Sequence, residues 1–273
     1  MLNENGIKVD NKRNILNEIA EKTKRRIAVE RIIFPLEEIA HQAENMPIGN
    51  FEFEKAISKK GMSFICEVKK ASPSKGVIAE EFSYMQIAKD YESAGASAIS
   101  CLTEPEYFMG KNKYLKEISQ NVSLPILKKD FFVDEYMIYQ AKIYGASAIL
   151  LICSILTDSE LAKYFEIANK LGLSAVFEAH DEIEIQRAIN CGARVIGVNN
   201  RNLKTFEMNF SNSINLRKMV GEDVIFISES GIRCREDINM LENNNINAVL
   251  IGETLMRAPD KKLILNKLKG ITA

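Results

Sequence analysis

Charged residues stand just after several short apolar runs of this sequence, and their types suit acid–base chemistry. The clearest stretch is 64–76, in which an apolar run is followed by Glu67 and Lys69. Residues two apart point to the same side of a strand, so this carboxylate and this ammonium share a face. Burying both is costly unless they are paired or used. An exposed strand end with a solvated ion pair is the alternative for this stretch taken alone.

Other apolar runs end in the same way. Lys129 follows the third run, Glu178 ends the fifth, Asn199 and Arg201 follow the sixth, and Glu229 ends the seventh. Lysines are candidate general acids or carboxylate binders, and glutamates are candidate bases. Three glutamates facing one cavity cannot all ionise cheaply, so we expect lysines between them. We also expect a lowered pKa for a partly desolvated lysine that lies beside another cation.

Glycines after the last two runs predict an anion site. Ser230 and Gly231 follow the seventh run, and Gly252 and Glu253 follow the eighth. Glycine lets an anion approach the backbone, and a short helix after it would aim N–H groups at a phosphate. Plain tight turns are the alternative for these glycines taken alone. Together the residue types indicate acid–base chemistry on a small phosphorylated substrate, without a metal.

These residues need a scaffold that gathers the ends of many strands. Apolar runs of strand length alternate with amphipathic helical stretches, near 64–68, 97–102, 124–128, 146–152, 173–177, 194–198, 223–227 and 247–251. Strict alternation implies parallel strands with helices outside. Eight such units fit an α/β fold, the closed (β/α)8 TIM barrel, whose active site lies at the C-terminal ends of its strands. A doubly wound open sheet is the alternative, but no G-x-G-x-x-G follows the first run.

A short internal repeat supports the eightfold array. The pattern at 95–99, Gly-Ala-Ser-Ala-Ile, recurs at 145–149, with weaker copies at 192–196 and 245–249. Each copy lies between a helical pattern and an apolar run, where glycine or asparagine can take the left-handed conformation that ends a helix. The copies therefore mark the even-numbered strands.

Residues 1–60 differ from the remainder of the chain. The pattern from about 15 to 43 is helical, and Pro35 forces a break in it. We predict an N-terminal helical extension over 1–60 that packs on a barrel formed by 61–273, in one structural domain. A separate helical interaction arm is the alternative.

Composition narrows the classes of function. The chain has 273 residues and a formal net charge of −1, which argues against a nucleic-acid-binding surface as its main role. No apolar run approaches the ~18 residues of a membrane span, and the polar N-terminus is not a secretory signal. Five scattered cysteines indicate free thiols in a reducing cytoplasm. With only two histidines, His41 and His180, a histidine metal site is not expected.

Seven blocks, in their order and spacing, resemble indole-3-glycerol-phosphate synthase. They read EVK with ASPSKG, LTE with YFMG, PILKKDF, ILLI, IGVNNRNL, SESGI and GETLM, starting at residues 67, 71, 102, 107, 125, 149, 196, 228 and 252. The match covers about residues 15–260. It implies a TIM barrel with an N-terminal helical extension over the mouth, and a cytoplasmic carboxy-lyase of tryptophan biosynthesis. It implies neither cofactor nor metal, and it leaves room for association with other enzymes of the tryptophan pathway.

The resemblance also implies a substrate and roles. The substrate is 1-(2-carboxyphenylamino)-1-deoxyribulose 5-phosphate, which closes to indole-3-glycerol phosphate with loss of carbon dioxide and water. By resemblance, Lys129 donates a proton to the ketone, Lys69 holds the carboxylate and is a second candidate acid, and Glu178 is the base-side partner. The other residues fall into groups by the part of the substrate that they would contact. The hydroxyl groups would be contacted by Glu67, Asn199 and Glu229, the phosphate by Ser72, Ser230, Gly231, Gly252 and the Glu253 amide, and the anthranilate ring by Phe108, Phe131 and Leu150. Arg201 would contact the carboxylate side or brace the site.

Departures from the family pattern are small. Lys128 stands where arginine is common and should point away from the site, and His180 reads as a loop residue rather than a catalyst. With no second isomerase domain after the eighth run, we expect a monofunctional protein. The rival functions are another phosphate-binding barrel, such as phosphoribosylanthranilate isomerase, and an inactive barrel used as a binding partner. The charged residues at the strand ends argue against both.

Overall fold

Eight parallel strands close into a barrel in the computed structural model, which describes residues 15–201 and 207–271. Each strand pairs with the next along the chain, and the last pairs with the first. The strands are β1 (Ser63–Val68), β2 (Ala98–Leu102), β3 (Ile126–Lys129), β4 (Ala148–Ile152), β5 (Ser174–Ala179), β6 (Val195–Asn199), β7 (Ile225–Glu229) and β8 (Ala248–Ile251). The predicted TIM barrel is confirmed, and the open-sheet alternative is wrong.

Helices cover the outside of the barrel. The helices that follow the strands are α4 (Tyr84–Ser93), α5 (Asn112–Asn121), α6 (Tyr136–Ile143), α7 (Asp158–Lys170), α8 (Glu182–Asn190), α9 (Ser211–Arg217), α10 (Arg235–Glu242), α11 (Glu253–Met256) and α12 (Lys261–Lys269). The repeat residues Gly95, Gly145, Gly192 and Asn245 all have positive φ, between 57° and 81°. Their predicted role at the helix ends is confirmed, because this backbone region suits glycine and asparagine.

The strands run further than the apolar runs suggested. Lys129 is the last residue of β3, and β5 and β7 include Glu178 and Glu229. In the register of the sheet, Leu102 lies beside Lys129 and Asn199 beside Glu229. The charged candidates therefore belong to strands whose backbone is hydrogen-bonded on both sides, which fixes their positions more firmly than a loop would.

From residue 15 onward, where the description of the structure begins, three helices precede the barrel: α1 (Ile15–Ile33), α2 (Leu36–Glu44) and α3 (Glu52–Ile57). The predicted break at Pro35 separates α1 from α2. Helix α1 buries Ile19 and Ile27, and its Arg31 pairs with Asp134 of the barrel at 2.8 Å. Among the described residues, no helix combines the length and apolar character needed to cross a membrane.

A buried polar cluster joins α1 to the outside of β3. The Lys128 amine lies 2.8 Å from Asn112 Oδ1 and 2.8 Å from Gln140 Oε1, and Gln140 in turn donates to Glu30 of α1 at 2.8 Å. The side chain of Lys128 is fully buried between α5 and α6. It points away from the barrel interior, as predicted, and ties the N-terminal helix to the strand that carries Lys129.

Lys128 should make stability depend on pH. Burial lowers its pKa from 10.5 to about 8, and attraction to Asp130 only partly offsets this. The unfolded chain therefore binds more protons between these two pH values, so stability rises with pH there. We expect the free energy of unfolding of the wild type to rise by about 3 kcal/mol relative to Lys128→Met across this window. Denaturant titrations at several pH values measure the difference. The control is Lys170→Met, which replaces an exposed lysine. The prediction is contradicted if the difference in free energy of unfolding between the wild type and Lys128→Met does not change with pH.

Candidate active site

One cavity of about 570 Å³ opens at the C-terminal ends of the barrel strands. Its wall contains every residue that the sequence nominated for catalysis or binding, although these residues are far apart in the chain. They are Glu67, Lys69, Ser72, Phe108, Lys129, Phe131, Leu150, Glu178, Asn199, Arg201, Glu229, Ser230, Gly231, Gly252 and Glu253. The barrel places them on the rim that this fold uses for function.

Lys129 is at the centre of the charged part of the cavity. Its Nζ lies 2.8 Å from Glu178 Oε2 and 2.7 Å from Glu229 Oε2, and its side chain is only 12% exposed. Burial disfavours the ammonium, but attraction to Glu178, Glu229 and Glu67 outweighs this and raises the pKa of Lys129 above its usual value. The expected lowering by a neighbouring cation is therefore wrong for Lys129, because its neighbours are carboxylates. The expectation of a lysine between the glutamates is confirmed.

The two glutamates beside Lys129 differ in protonation. Burial raises the pKa of Glu229 to about 7, with Lys129 offsetting part of the effect and Glu178 adding to it. Burial also disfavours ionised Glu178, but the charges of Lys129 and His180 and a hydrogen bond from Asn199 hold its pKa below the usual value. Environments that separate the pKa values of two carboxyls separate their roles. Near neutral pH, Glu178 is the available base, and Glu229 can hold or release a proton.

A second charged pair lies on the β1 side of the cavity. The Lys69 ammonium contacts the buried carboxylate of Glu67. The two residues stand two apart at the end of β1, as the sequence indicated, and the solvated alternative is wrong because Glu67 is buried. Lys69 keeps part of its surface open to the cavity, so its ammonium can reach a bound anion.

One corner of the cavity is rich in cations and turns. Ser230 and Gly231 both have positive φ, 68° and 87°, directly after β7, and the short helix α11 begins just after Gly252. Serine and glycine backbone at this corner suits a phosphate. Among the described residues, four cationic side chains line the cavity in addition to Lys69 and Lys129: Lys75, Arg201, Arg233 and Arg257. Of these four, the sequence analysis nominated only Arg201.

Glu253 organises three of these cations. Its carboxylate lies 3.8 Å from Lys75, 3.7 Å from Arg201 and 3.1 Å from Arg257. The side chain thus holds cations near the corner while its backbone begins α11. A single cation outside a strand or long helix leaves no periodic pattern in the sequence. Arg233 and Arg257 could therefore not be recognised as site residues from their type alone. Lys75 stands in the ASPSKG block and could have been found from that block.

The opposite wall of the cavity is apolar. The rings of Phe108 and Phe131 are 6.3 Å apart, and Leu150 of β4 lies on the same cavity. Helix α1 adds Leu16 and Ile19, which the sequence analysis had not assigned to the site. A flat aromatic group therefore has an apolar surface beside the charged centre.

Comparison with known proteins agrees with the geometry. The family model for indole-3-glycerol phosphate synthase matches residues 16–268. The chain belongs to this family. Proteins named indole-3-glycerol phosphate synthase from Ruminiclostridium cellulolyticum and Lachnoclostridium phytofermentans are 52% and 49% identical to it, over 94% of this chain and 99% of each relative. The activity predicted from the sequence blocks, a carboxy-lyase of tryptophan biosynthesis, is that of the indole-3-glycerol phosphate synthase family and is confirmed.

Solved structures share the barrel at much lower identity. A 3-hexulose-6-phosphate synthase superposes with a TM-score of 0.62 at 13% identity, covering 78% of this chain and 100% of the other. A tryptophan synthase complex from Pyrococcus furiosus gives a TM-score of 0.58 at 14% identity, covering 76% and 98%. These likenesses support the fold alone.

Two glycines make room for the charged pairs of this indole-3-glycerol phosphate synthase family member. A Cβ on Gly197 of β6 would lie 2.5 Å from Glu229 Oε1 and 3.2 Å from Val176. A Cβ on Gly252 would overlap the Glu67 carboxylate and lie 2.7 Å from Lys69 Nζ. The sequence analysis gave Gly197 no role and assigned Gly252 only to the phosphate. Gly197 lies between the β-branched residues Ile196 and Val198 of an apolar run. A glycine inside a strand often marks a close approach of another group, so this pattern could have indicated close packing there.

Two buried carboxylates shape the loops beside the site, and the sequence analysis missed both roles. Glu104 accepts backbone hydrogen bonds from Glu106, Tyr107 and Phe108 at 2.9, 2.7 and 3.0 Å, which fixes the loop that carries Phe108. Asp130 accepts from Thr103 Oγ1 at 2.6 Å and from the Phe131 N–H at 2.9 Å. Both carboxylates hold backbone groups or neighbouring side chains, so they position the loops that carry the apolar wall.

Gly197→Ala should impair the enzyme without unfolding it. The added methyl group pushes the Glu229 carboxylate away from Lys129, and misplacing a catalytic group by about 1 Å costs on the order of 100-fold in rate. We therefore expect kcat/KM to fall by roughly 10-fold to 100-fold in a steady-state assay.

Gly221→Ala is the matched control for Gly197→Ala. A Cβ at Gly221 would also lie 2.5 Å from a carboxylate oxygen, that of Asp223, but on an exposed loop outside the cavity. The side chain of Asp223 can move into solvent, so kcat/KM should stay at the wild-type value. A folded Gly197→Ala protein with wild-type kcat/KM would show that Glu229 needs no such space.

Proposed function

We propose that this barrel converts 1-(2-carboxyphenylamino)-1-deoxyribulose 5-phosphate to indole-3-glycerol phosphate, with Lys129 as the general acid of ring closure. The observation that carries the proposal is the Lys129 ammonium, held by Glu178 and Glu229 between an apolar wall and a cationic corner. The substrate has three parts that match these regions: an anthranilate ring, a ketone and a phosphate. Holding the ring carbon near the ketone is a task of positioning, which this division of the cavity supports.

The phosphate and the ring would anchor the two ends of the substrate. Ser72, Ser230, Gly231, Gly252 and the Glu253 amide surround the phosphate in this proposal, with Lys75, Arg233 and Arg257 supplying positive charge. Arg201 joins them instead of the carboxylate side that the resemblance implied, because it lies 3.7 Å from Glu253. Phe108, Phe131 and Leu150 receive the anthranilate ring. The reacting ketone then lies between the corner and the apolar wall, where Lys129 and Asn199 reach it.

Ring closure is the step that needs the acid. The ring carbon that bears the carboxylate attacks the ketone carbon, and the electrons of the C=O bond move to oxygen. This attack disrupts the aromatic ring, so the carbonyl must be strongly polarised by a charge in a site with little water. The carboxylates keep Lys129 protonated until the oxygen becomes basic, and Lys129 then gives its proton to that oxygen.

Decarboxylation restores the aromatic ring. The bond between the ring carbon and the carboxylate breaks, its electron pair returns to the ring, and carbon dioxide leaves. Lys69 orients the carboxylate before this step, with Glu67 holding its ammonium. Once carbon dioxide has left, Lys69 is free to contact the new hydroxyl group.

Dehydration completes the indole ring. Lys69 protonates the hydroxyl, which leaves as water, and Glu178 takes a proton from the carbon next to nitrogen, so the new C=C bond forms. Glu178 is 2.8 Å from Lys129 Nζ and can return this proton to Lys129. One proton from solvent restores Lys69, which matches the single proton consumed when a carboxylate is released as carbon dioxide.

A fluorescence assay of indole-3-glycerol phosphate formation tests the function and the acid together. We expect the wild type to form product with a chelator present and no added metal. Lys129→Ala should lower kcat by about 100-fold to 10,000-fold, the range for losing a general acid. Lys170→Ala, an exposed lysine of α7, should behave as the wild type.

Two results would contradict the proposal in different ways. A folded wild type that forms no product argues against the synthase activity of this chain. Product formed by Lys129→Ala at the wild-type rate argues against Lys129 as the acid and leaves the activity standing.

A location in the cytoplasm and an association with other tryptophan-pathway enzymes accompany this function as predictions, and co-purification from a cell extract tests the association.

A further inference from the structure

The ring of His180 lies between two carboxylates just after β5. Its Nε2 is 3.5 Å from Glu178 Oε1, and its Nδ1 is 3.0 Å from Glu184 Oε2 on α8. The same Glu184 oxygen accepts the backbone N–H of His180 at 2.8 Å, and Asn212 donates to the His180 carbonyl at 3.1 Å. Both the ring and the backbone of this residue are therefore fixed, which differs from a free loop residue.

The contact with Glu178 requires a proton on the ring. An ionised carboxylate only accepts hydrogen bonds, so Nδ1 carries the proton that it shares with Glu184. Among the described residues, the buried Nε2 has no hydrogen-bond partner, and it faces Glu178 Oε1 at the longer distance of an ion pair, 3.5 Å. If Nε2 were unprotonated, its lone pair would face the ionised oxygen of Glu178 and repel it. The arrangement is attractive when both ring nitrogens are protonated and Glu178 is ionised.

We propose that His180, held by Glu184, is a positioning residue that keeps Glu178 ionised and directed at Lys129. The four side chains form a series of alternating charge: Glu184, His180, Glu178 and Lys129. One oxygen of Glu178 faces Lys129 and the other faces His180, so the carboxylate is fixed at both ends. The catalytic meaning of this arrangement rests on the proposed function, in which Glu178 is the base of dehydration.

The charged groups around His180 favour its protonated form. Glu178 faces it from β5, Glu184 from α8 and Glu229 from β7, while Lys129 lies beyond Glu178. Burial disfavours the imidazolium, but these carboxylates outweigh it and raise the pKa of His180 above its usual value. When His180 is replaced by a neutral residue, Glu178 loses a positive neighbour. Glu178 then binds a proton at a higher pH than in the wild type.

A titration of the imidazole tests the contact without any assay of activity. The chain has only two histidines, and His41 is exposed on α2, so His41→Gln leaves His180 as the single ring signal in an NMR spectrum of labelled histidine. We expect a midpoint above the ordinary value of about 6.5. Glu178→Gln and Glu184→Gln, each in the His41→Gln background, should each lower the midpoint by roughly half a unit or more. An unchanged midpoint in Glu178→Gln overturns the proposal.

The pH dependence of kcat tests the positioning role. The amide nitrogen of His180→Gln can replace Nε2 as a donor but cannot carry its charge, whereas His180→Ala removes both. We expect kcat to fall roughly 10-fold in His180→Gln and roughly 100-fold in His180→Ala, with little change in KM. The acid limb of the kcat profile should move to higher pH in both variants. His41→Gln should match the wild type.

The outcomes separate this proposal from the proposed function. An acid limb that stays in place in a folded His180→Gln protein overturns the positioning role, and this variant decides the matter if His180→Ala does not fold. If the wild type forms no product, the proposed function fails. The NMR titration needs no substrate, so it still shows whether the Glu178 carboxylate raises the pKa of His180.

Discussion

The ion pairs of Lys129 with Glu178 and Glu229 are the constraint on which this structure depends. Removing each charge from water costs several kcal/mol, and only close pairing offsets that cost. The partners come from β3, β5 and β7, and Glu67 comes from β1, so all four odd-numbered strands supply one charge each. Side chains of alternate strands lie in one layer of a TIM barrel. Closure of the sheet is therefore what sets the short distances between these charges.

The even-numbered strands supply space and apolar surface around this layer. Gly197 of β6 makes room for Glu229, Gly252 after β8 makes room for Glu67 and Lys69, and Leu150 of β4 faces the cavity as part of its apolar wall. A larger residue at either glycine would separate a charge from its partner, and an unpaired buried charge is costly. The charges of one set of strands and the small residues of the other set therefore depend on each other.

Sequence reasoning predicts the barrel and the charged cavity residues because both follow from local patterns, whereas Ser72, Phe108 and Leu150 were indicated by the family resemblance alone. The alternation of apolar runs with helical stretches predicts the strands. A charged residue at the end of an apolar run, such as Lys129 or Glu178, can be recognised from the sequence as a candidate site residue. The direction of the Lys129 pKa could not be predicted, since its neighbours depend on which strands meet across the barrel. The roles of Glu104 and Gly197 depend on where backbone and side-chain atoms lie to within fractions of an ångström. Family resemblance can place a residue in a site, but the fold decides what lies beside it.

The charges of the cavity divide into a reacting centre and an anchoring corner. At the centre, Lys69 and Lys129 balance Glu67 and Glu178, and burial raises the pKa of Glu229 to about 7. At the corner, Lys75, Arg201 and Arg257 outnumber the carboxylate of Glu253 that they surround. In the proposed function, the substrate phosphate is drawn to this corner, where no proton has to move. In the same proposal, the balanced centre keeps the Lys129 ammonium protonated until the substrate oxygen becomes basic. If the excess cations lay at the centre, they would hold the phosphate beside Lys129 and leave the ketone without its acid.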